Sequence, residues 1–251
     1  MIFLKTDDEI ELLRQSNLLV GKTLAEVAKL ITPGVTTKQL DKVAEEFIRD
    51  HGAIPTFKGF PNPSGNSYPC TLCTSVNSQV VHGIPNDIPL TEGDIVSIDC
   101  GTYMNGFCGD SAYTFCVGEV SDDIKELLKT TKEALYRGIE KAVHGCRLGD
   151  IGFAIQDYSE SRSYGVVREF VGHGIGKEMH EEPQVPNYGR RGNGTLLKSG
   201  MCLAIEPMIT LGDRHIFLEK DGWSVRTKDG KCAAHFEHTV AVRQGDRKSV
   251  V

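Results

Sequence analysis

No window of this 251-residue sequence approaches the ~18 consecutive apolar residues of a membrane span. The N-terminal "MIFLKTDDEIELL" is acidic where a secretory leader would be basic, so the sequence predicts a cytoplasmic protein with no membrane association. Basic clusters and stripes are also missing, and the net charge is −6, which argues against electrostatically driven nucleic-acid binding. Eight cysteines are scattered, several of them inside strand-like runs such as "TFCVG" and "GMCLAIE", and in a reducing compartment they read as small buried apolar residues. Cys70 and Cys73 form a C-x-x-C, but a structural zinc site needs a second pair or histidines at matching spacing, and a redox motif needs a βαβ context. Neither is present. A solenoid is excluded as well, because that architecture needs more copies at a shorter period.

What is present is an ordinary globular composition, 25% charged and 39% apolar, in a chain long enough for a sizeable core. "TDDE" reads as a capping box, with Thr6 as N-cap and Glu9 reaching back, and predicts a helix to about Ile31 that Pro33-Gly34 breaks. "TTKQLDKVAEEFIRDHG" begins a second helix in the same way. A similar block returns 111 residues later: Ser121 opens a helix, Gly145 interrupts, and "LGDIGFAIQDYSESRSYG" follows as another helix. Gly34 matches Gly145, Leu40 matches Ile151 and Leu24 matches Leu135. Strand-like runs follow each helical pair. In the first block they are "CTLCTSVN", "DIVSIDCGTYM" and "GFCGDSAYTFCVG". The second block has "VVREFVGHGIG", "MCLAIEPMIT" and "WSVRTKDGKCAAHFEHTVAV", the last with a turn at Asp229-Gly230. The fold class predicted is α+β, one domain over 1–251 with related halves near 1–117 and 118–243, helices covering an antiparallel sheet, and a polar tail at 244–251.

The stretch "SIDCGTYMNGFCGDSA" carries the first chemical clue. Asn105-Gly106 signals a two-residue hairpin turn, which would set Gly101 opposite Asp110 and put Asp99 on the same face, roughly 5 to 8 Å from Asp110. Two carboxylates on one face repel unless they are solvated or a cation lies between them. Three further residues interrupt apolar or glycine-rich runs: His173 in "EFVGHGIGKEMHEEPQ", Glu206 in "LAIEPMI" and Glu237 in "AAHFEHTV". Read singly, each is a solvated strand residue or a satisfied core polar group. Together, four carboxylates and one imidazole make a donor set for two divalent ions, and its oxygen-rich character suits Mn, Fe, Co or Zn.

On "VVHGIPND", "EGDIVSIDCG", "NGFCGDSAYTFCVG", "EFVGHGIGKEMHEEPQVPNYG", "LKSGMCLAIEPM" and "DGWSVRTKDGKCAAHFEHTVAV", the chain resembles the type 1 methionine aminopeptidases of the pita-bread fold, over almost its whole length. The resemblance implies a curved antiparallel sheet covered by two pairs of helices and related by a pseudo-twofold. It implies that Asp99, Asp110, His173, Glu206 and Glu237 ligate two divalent ions. Asp110 and Glu237 would bridge both, Asp99 would serve one, and His173 and Glu206 the other. Glu206 is then the proton shuttle, His180 bonds the scissile carbonyl, and His82 lies near the scissile nitrogen. Phe60, Tyr68, Cys73, Met179 and Trp223 would surround the methionine side chain. The chemistry expected is metal-assisted amide hydrolysis, in which a water shared by ions roughly 3.5 to 4 Å apart loses its proton near neutral pH.

The implied substrates are nascent polypeptide N-termini with a small second residue, met by a monomer for which the ribosome is at most a transient contact. Met179 stands where relatives often have an aromatic residue, and the stretch 62–67 looks longer than usual. No motif speaks for His51, His144, His215 or Glu178. A prolidase would add an N-terminal domain, whereas Thr6 already starts the catalytic unit here. A type 2 enzyme would insert helices between Glu206 and Glu237, and metal-free binding relatives lose ligands that this chain keeps.

Overall fold

The computed structural model describes residues 1–62 and 65–244. The expected tail therefore lies outside the described residues except for Gln244, as do Pro63 and Ser64 of the stretch 62–67.

Local chemistry sets the helix starts. The Thr6 hydroxyl accepts the Glu9 N–H, and the Glu9 carboxylate accepts the Thr6 N–H, at the head of α1 (Asp7–Ala28). Asp7, Asp8 and Glu9 crowd its first turn, where the helix dipole favours negative charge. Thr36 and Gln39 make the same reciprocal cap on α2 (Thr37–Asp50). Ser121 precedes α3 (Asp122–Ile139) without a side-chain cap bond, and Asp150 accepts the Arg147 N–H at 2.7 Å to open α4 (Leu148–Glu160). The last helix stops short of the predicted Gly165. Ser163 takes a φ of 65°, which turns the chain away from the helix. The 111-residue offset is visible in the backbone. Gly34 and Gly145 have φ of 97° and 90°, and isolated bridges Thr36–Pro89 and Arg147–Leu196 follow each of them.

The strands form antiparallel ladders in four patches. In the first, β4 (Ile95–Met104) pairs with β1 (Ile54–Pro55), β2 (Leu72–Val76) and β5 (Phe107–Cys116). A second runs β14 (His238–Ala241), β9 (Cys202–Ile205), β7 (Gly172–Gly174) and β8 (Glu181–Val185). The third is β13 (Ala233–His235), β10 (Met208–Thr210) and β6 (Gly165–Val166), and the fourth β11 (Ile216–Leu218), β12 (Val225–Thr227) and β3 (Gln79–Val81). Hydroxyls and one backbone bond stitch β5 to the second and third patches. Ser111 Oγ donates to the Glu237 carbonyl at 2.7 Å, Thr114 Oγ1 to the His235 carbonyl at 2.8 Å, and Glu237 N to the Ala112 carbonyl at 2.9 Å.

Three runs that read as continuous strands are broken. "VVREFVGHGIG" holds two short strands, β6 and β7, and "MCLAIEPMIT" changes patch at Glu206-Pro207, where proline has no N–H for the ladder. "AAHFEHTV" changes patch at Phe236-Glu237. The turn near Asp229-Gly230 does not close a hairpin: β12 pairs with β11 and β3, while β13 pairs with β10.

The helices cover one side. Leu40, Ile48, Ile98 and Cys100 belong to the core beneath α1 and α2, and Leu135, Ile151, Ile205 and Val240 to the core beneath α3 and α4. Because Ile98 and Cys100 point into that core, the intervening Asp99 points to the other side. All eight cysteines are free, and no helix among the described residues is long and apolar enough to cross a membrane.

Candidate active site

Two pieces of backbone geometry gather the carboxylates. In the β4–β5 hairpin Gly101 pairs with Asp110 and Met104 with Phe107, around Asn105 and Gly106 at φ of 55° and 85°. This is the predicted two-residue turn, and it brings Asp99 and Asp110 to one face. Asp110 is further fixed by its N–H to Asn17 Oδ1 at 3.0 Å and by Thr239 Oγ1 donating to its carbonyl at 2.9 Å. The second piece is the double strand break. His238 pairs with Ile205 on one side of it and Met208 with His235 on the other, so the register carries Glu206 opposite Glu237. Both carboxylates lie where the chain leaves one patch for the next.

His173 completes the group from the short strand β7. Its Nδ1 lies 2.9 Å from the Gly174 carbonyl, which makes Nδ1 the protonated nitrogen and leaves the Nε2 lone pair free. That Nε2 is 3.6 Å from Asp110 Oδ2 and 3.6 Å from Glu206 Oε1. One ligand atom each of Asp110, His173 and Glu237 lie within 4.8 Å of one another, and all three residues are buried. Asp99 Oδ1, Asp110 Oδ1 and Glu237 Oε1 are buried without a hydrogen-bond partner.

Such a cluster is costly as it stands. Burial first, and then Asp110 and Glu206, push Asp99 well above the usual carboxylate range, and burial with Asp110, Glu206 and Asp99 does the same to Glu237. Burial also raises Asp110, although His173 opposes it. Burial would lower His173, but the Asp110 and Glu206 carboxylates outweigh it and hold the imidazole above its ordinary value. Unpartnered anionic oxygens around an imidazole lone pair fit a divalent cation. The donor set is hard oxygen with one nitrogen, the thiol of Cys73 is held in its neutral form by burial, and ions of the Mn–Zn series suit such a set.

Residues 11–244 match the metallopeptidase family M24. The chain belongs to that family. It is 52% identical over 243 residues to a methionine aminopeptidase of Clostridium acetobutylicum, covering 96% of this chain and 95% of that protein. Methionine aminopeptidase 1 of Bacillus subtilis is 49% identical over 244 residues, covering 97% and 96%. The crystal structure of methionine aminopeptidase from Thermotoga maritima superposes with a TM-score of 0.95 at 42% identity, covering 100% of this chain and 99% of that one. The fold is thus the pita-bread fold of the M24 enzymes, and membership makes this chain a metal-dependent peptide hydrolase.

Around the cluster lies a cavity of about 460 Å³, lined by Asp99, Asp110, His173, Glu206 and Glu237 and by His82, His180, Phe60, Tyr68, Cys73 and Trp223. His82 takes a φ of 58°, a left-handed conformation that costs energy for any residue with a Cβ. Its ring packs edge-on against Phe170 at 5.3 Å and Trp223 at 6.4 Å. Burial lowers its pKa to about 4. His180 is exposed toward the cavity it lines, yet the surrounding protein and then the nearby His173 lower it to about 4 as well. The apolar end is closed by Tyr68, whose hydroxyl reaches the carbonyls of Leu72 and Gly83, and by Trp223, whose Nε1 donates to the Asn66 carbonyl at 3.1 Å. The described part of the 62–67 stretch thus touches Trp223 through the Asn66 carbonyl and does not itself line the cavity.

Met179 is placed differently from the expectation that it walls this pocket. It is absent from the cavity lining and packs in a buried cluster with Ile10, Leu13 and Phe107, while facing a neighbouring groove. A Cβ on Gly101 would lie 2.5 Å from its terminal methyl carbon. Sequence reasoning also missed several residues. Phe57, Phe170, Met208 and Gln184 line the cavity. His235 is buried with Nε2 unpartnered, 3.5 Å from Glu206 Oε2. Asn187 donates to the Glu206 carbonyl at 3.0 Å. His235 had a signal: it lies two residues before Glu237 in the same run, hence on the same side of an extended chain.

Proposed function

We propose that this chain removes the initiator methionine from nascent proteins and peptides whose second residue is small, in the cytoplasm, by hydrolysis that depends on two divalent ions. The observation that carries the reading is the set of buried, unpartnered oxygens of Asp99, Asp110 and Glu237 gathered about the free Nε2 of His173. Asp99, Asp110, His173, Glu206 and Glu237 would hold the ions. When bound, the metal would supply Lewis acidity toward the scissile carbonyl and lower the pKa of the attacking water.

The protein's own part is positioning and proton transfer. Glu206, held from behind by the Asn187 bond to its carbonyl, receives a proton at its carboxylate and delivers it to the leaving amine. His180, neutral at pH 7 because its pKa lies near 4, donates a ring N–H to the carbonyl oxygen as charge develops there. His82, neutral for the same reason, faces the scissile nitrogen. Phe60, Tyr68, Cys73 and Trp223 offer an apolar pocket whose aromatic rings suit a thioether. The substrate's free amine would lie near Asp99.

The relatives' shared name supports methionine as the residue removed, and their near-complete coverage supports reading 1–251 as one catalytic domain with halves near 1–117 and 118–243. Methionine release from Met-Ala-Ser and from Met-Leu-Ser, assayed with chelator and then with added Mn(II), tests the proposal. Metal-dependent release from the first peptide alone supports it, and equal release from both, or release unaffected by chelator, refutes it.

A further inference from the structure

Outside the catalytic cluster, one buried ion pair has no part in the chemistry described so far. Lys5 Nζ lies 2.5 Å from Glu181 Oε2, with side chains only 6% and 8% exposed, and it joins the segment before α1 to the start of β8, 176 positions away. Burying such a pair is costly and is weak evidence for stability by itself, so its position must be explained.

The other oxygen of Glu181 faces the loop that carries His180. Oε1 accepts the N–H of Lys177 at 3.0 Å and of Glu178 at 3.4 Å. Gly176, at the loop's start, lies directly on the pair: a Cβ there would be 2.4 Å from Glu181 Oε1 and 2.6 Å from Lys5 Cε. No strand ladder supports residues 175–180, which link β7 to β8. Besides this carboxylate, the loop is anchored by the Ile175 N–H to the Cys202 carbonyl at 3.1 Å, by Cys108, whose N–H reaches the Gly176 carbonyl at 2.7 Å and whose thiol reaches the Lys177 carbonyl at 3.6 Å, by the Lys177 ammonium 3.8 Å from Glu9, and by the buried Met179. Lys5 is itself held by its N–H to the Gly200 carbonyl at 2.7 Å, and its Nζ also reaches the Phe3 carbonyl at 3.3 Å. The loop ends in His180, whose ring rests 4.3 Å from His173 and 5.2 Å from Phe60.

We propose that Lys5, through its buried ion pair with Glu181, is a positioning residue that sets the loop presenting His180 to the scissile carbonyl. The inference rests on the reading of His180 given above. Glu181 gathers two loop N–H groups with one oxygen, and Lys5 orients that carboxylate through the other. Without the ammonium the carboxylate is a buried, uncompensated charge that rotates toward the cavity it lines, and the loop loses its template.

The test compares Lys5→Met/Glu181→Gln, which removes both charges together, with Lys5→Arg, which keeps the charge and changes its shape. Both are measured for kcat and KM on Met-Ala-Ser, for Mn(II) affinity by calorimetry and for Tm, alone and combined with His180→Ala. The proposal expects kcat to fall about tenfold or more, since small misplacements of catalytic groups are costly. KM and Mn(II) affinity should stay within about twofold of the parent, and the charge-removing pair should cause no further loss in the His180→Ala background. Lys5→Arg should lower kcat by a smaller factor at unchanged Tm, which decides the matter if the double variant does not fold. Unchanged kcat in folded variants, a matching loss of Mn(II) affinity, or full additivity with His180→Ala would overturn the positioning role. If His180→Ala alone leaves kcat unchanged, the assignment of His180 falls first and this inference with it.

Discussion

His173 Nε2 stands 3.6 Å from Asp110 Oδ2, beyond hydrogen-bond reach, although both side chains are buried. Two donors each about 2.1 Å from a common ion are separated by about 3 to 4 Å, so the gap has the span of a shared ligand pair. Removing metal with a chelator should therefore lower Tm and abolish turnover, and Mn(II) or Co(II) should restore both. Calorimetric scans before and after dialysis check this, and a Tm indifferent to metal would contradict it.

Acidification should weaken that rescue. Asp99, Asp110 and Glu237 titrate above their ordinary range in the metal-free fold, so between their ordinary and their raised values the folded state holds more protons than the unfolded chain. These groups therefore destabilise the metal-free protein at neutral pH, and the penalty fades as the pH falls into their raised range. His82 and His180 act in the opposite sense. With folded values near 4 against 6.5 unfolded, their contribution is full above about 6.5 and is lost as the pH falls toward 4. Metal must displace the protons from the carboxylates. The Tm gain on adding Mn(II) is thus expected to be larger at about pH 7.5 than at about pH 5.5, and an equal gain at both values would count against the carboxylates as ligands.

Glu206→Gln keeps the shape of the side chain and removes its capacity to carry a proton. Turnover should fall by about 10²- to 10⁴-fold, the range for a lost general acid–base group. Mn(II) titrations on the same variant separate this loss from a loss of metal.

Gly101 faces Asp110 across the hairpin, and its missing side chain is a packing requirement. A Cβ would lie 2.2 Å from Thr56 Oγ1 and 2.9 Å from Phe57 Cε1. Gly101→Ala should destabilise the fold by about 1 to 3 kcal/mol, as read by urea unfolding, and a neutral effect would mean that the wall behind the site is soft.

Trp223 closes the apolar end of the cavity with Tyr68, their rings edge-to-face at 5.1 Å. Trp223→Ala should raise KM for Met-Ala-Ser by about tenfold with little change in kcat, the signature of lost uniform binding. Steady-state kinetics on the metal-loaded variant decide it.

How far the sequence carries the account depends on the range of the interactions involved. The Thr6 and Thr36 caps and the Asn105-Gly106 turn were legible because each depends on residues within four positions of one another. The hairpin register followed from the turn, and with it the neighbouring placement of Asp99 and Asp110. That Glu206 faces Glu237 was not legible, because it depends on two strands changing patch at the same level, a property of the sheet's curvature. His235 was overlooked although its two-residue spacing from Glu237 was a local signal, and Asp229-Gly230 suggested a hairpin where the chain turns between patches. Met179 was expected at the pocket wall, but an unbranched side chain can fold back into the core between Gly101 and α1, and it does.

The central claim is that carboxylates distant in sequence converge to hold a pair of cations on which hydrolysis depends. Metal content of the Mn(II)-loaded protein, measured per chain in native and Asp110→Asn forms alongside methionine release, tests it most directly. The account predicts two ions and activity in the native chain, with both sharply reduced in the variant; an active native protein that holds no metal, or a variant that keeps both ions and full turnover, would contradict it.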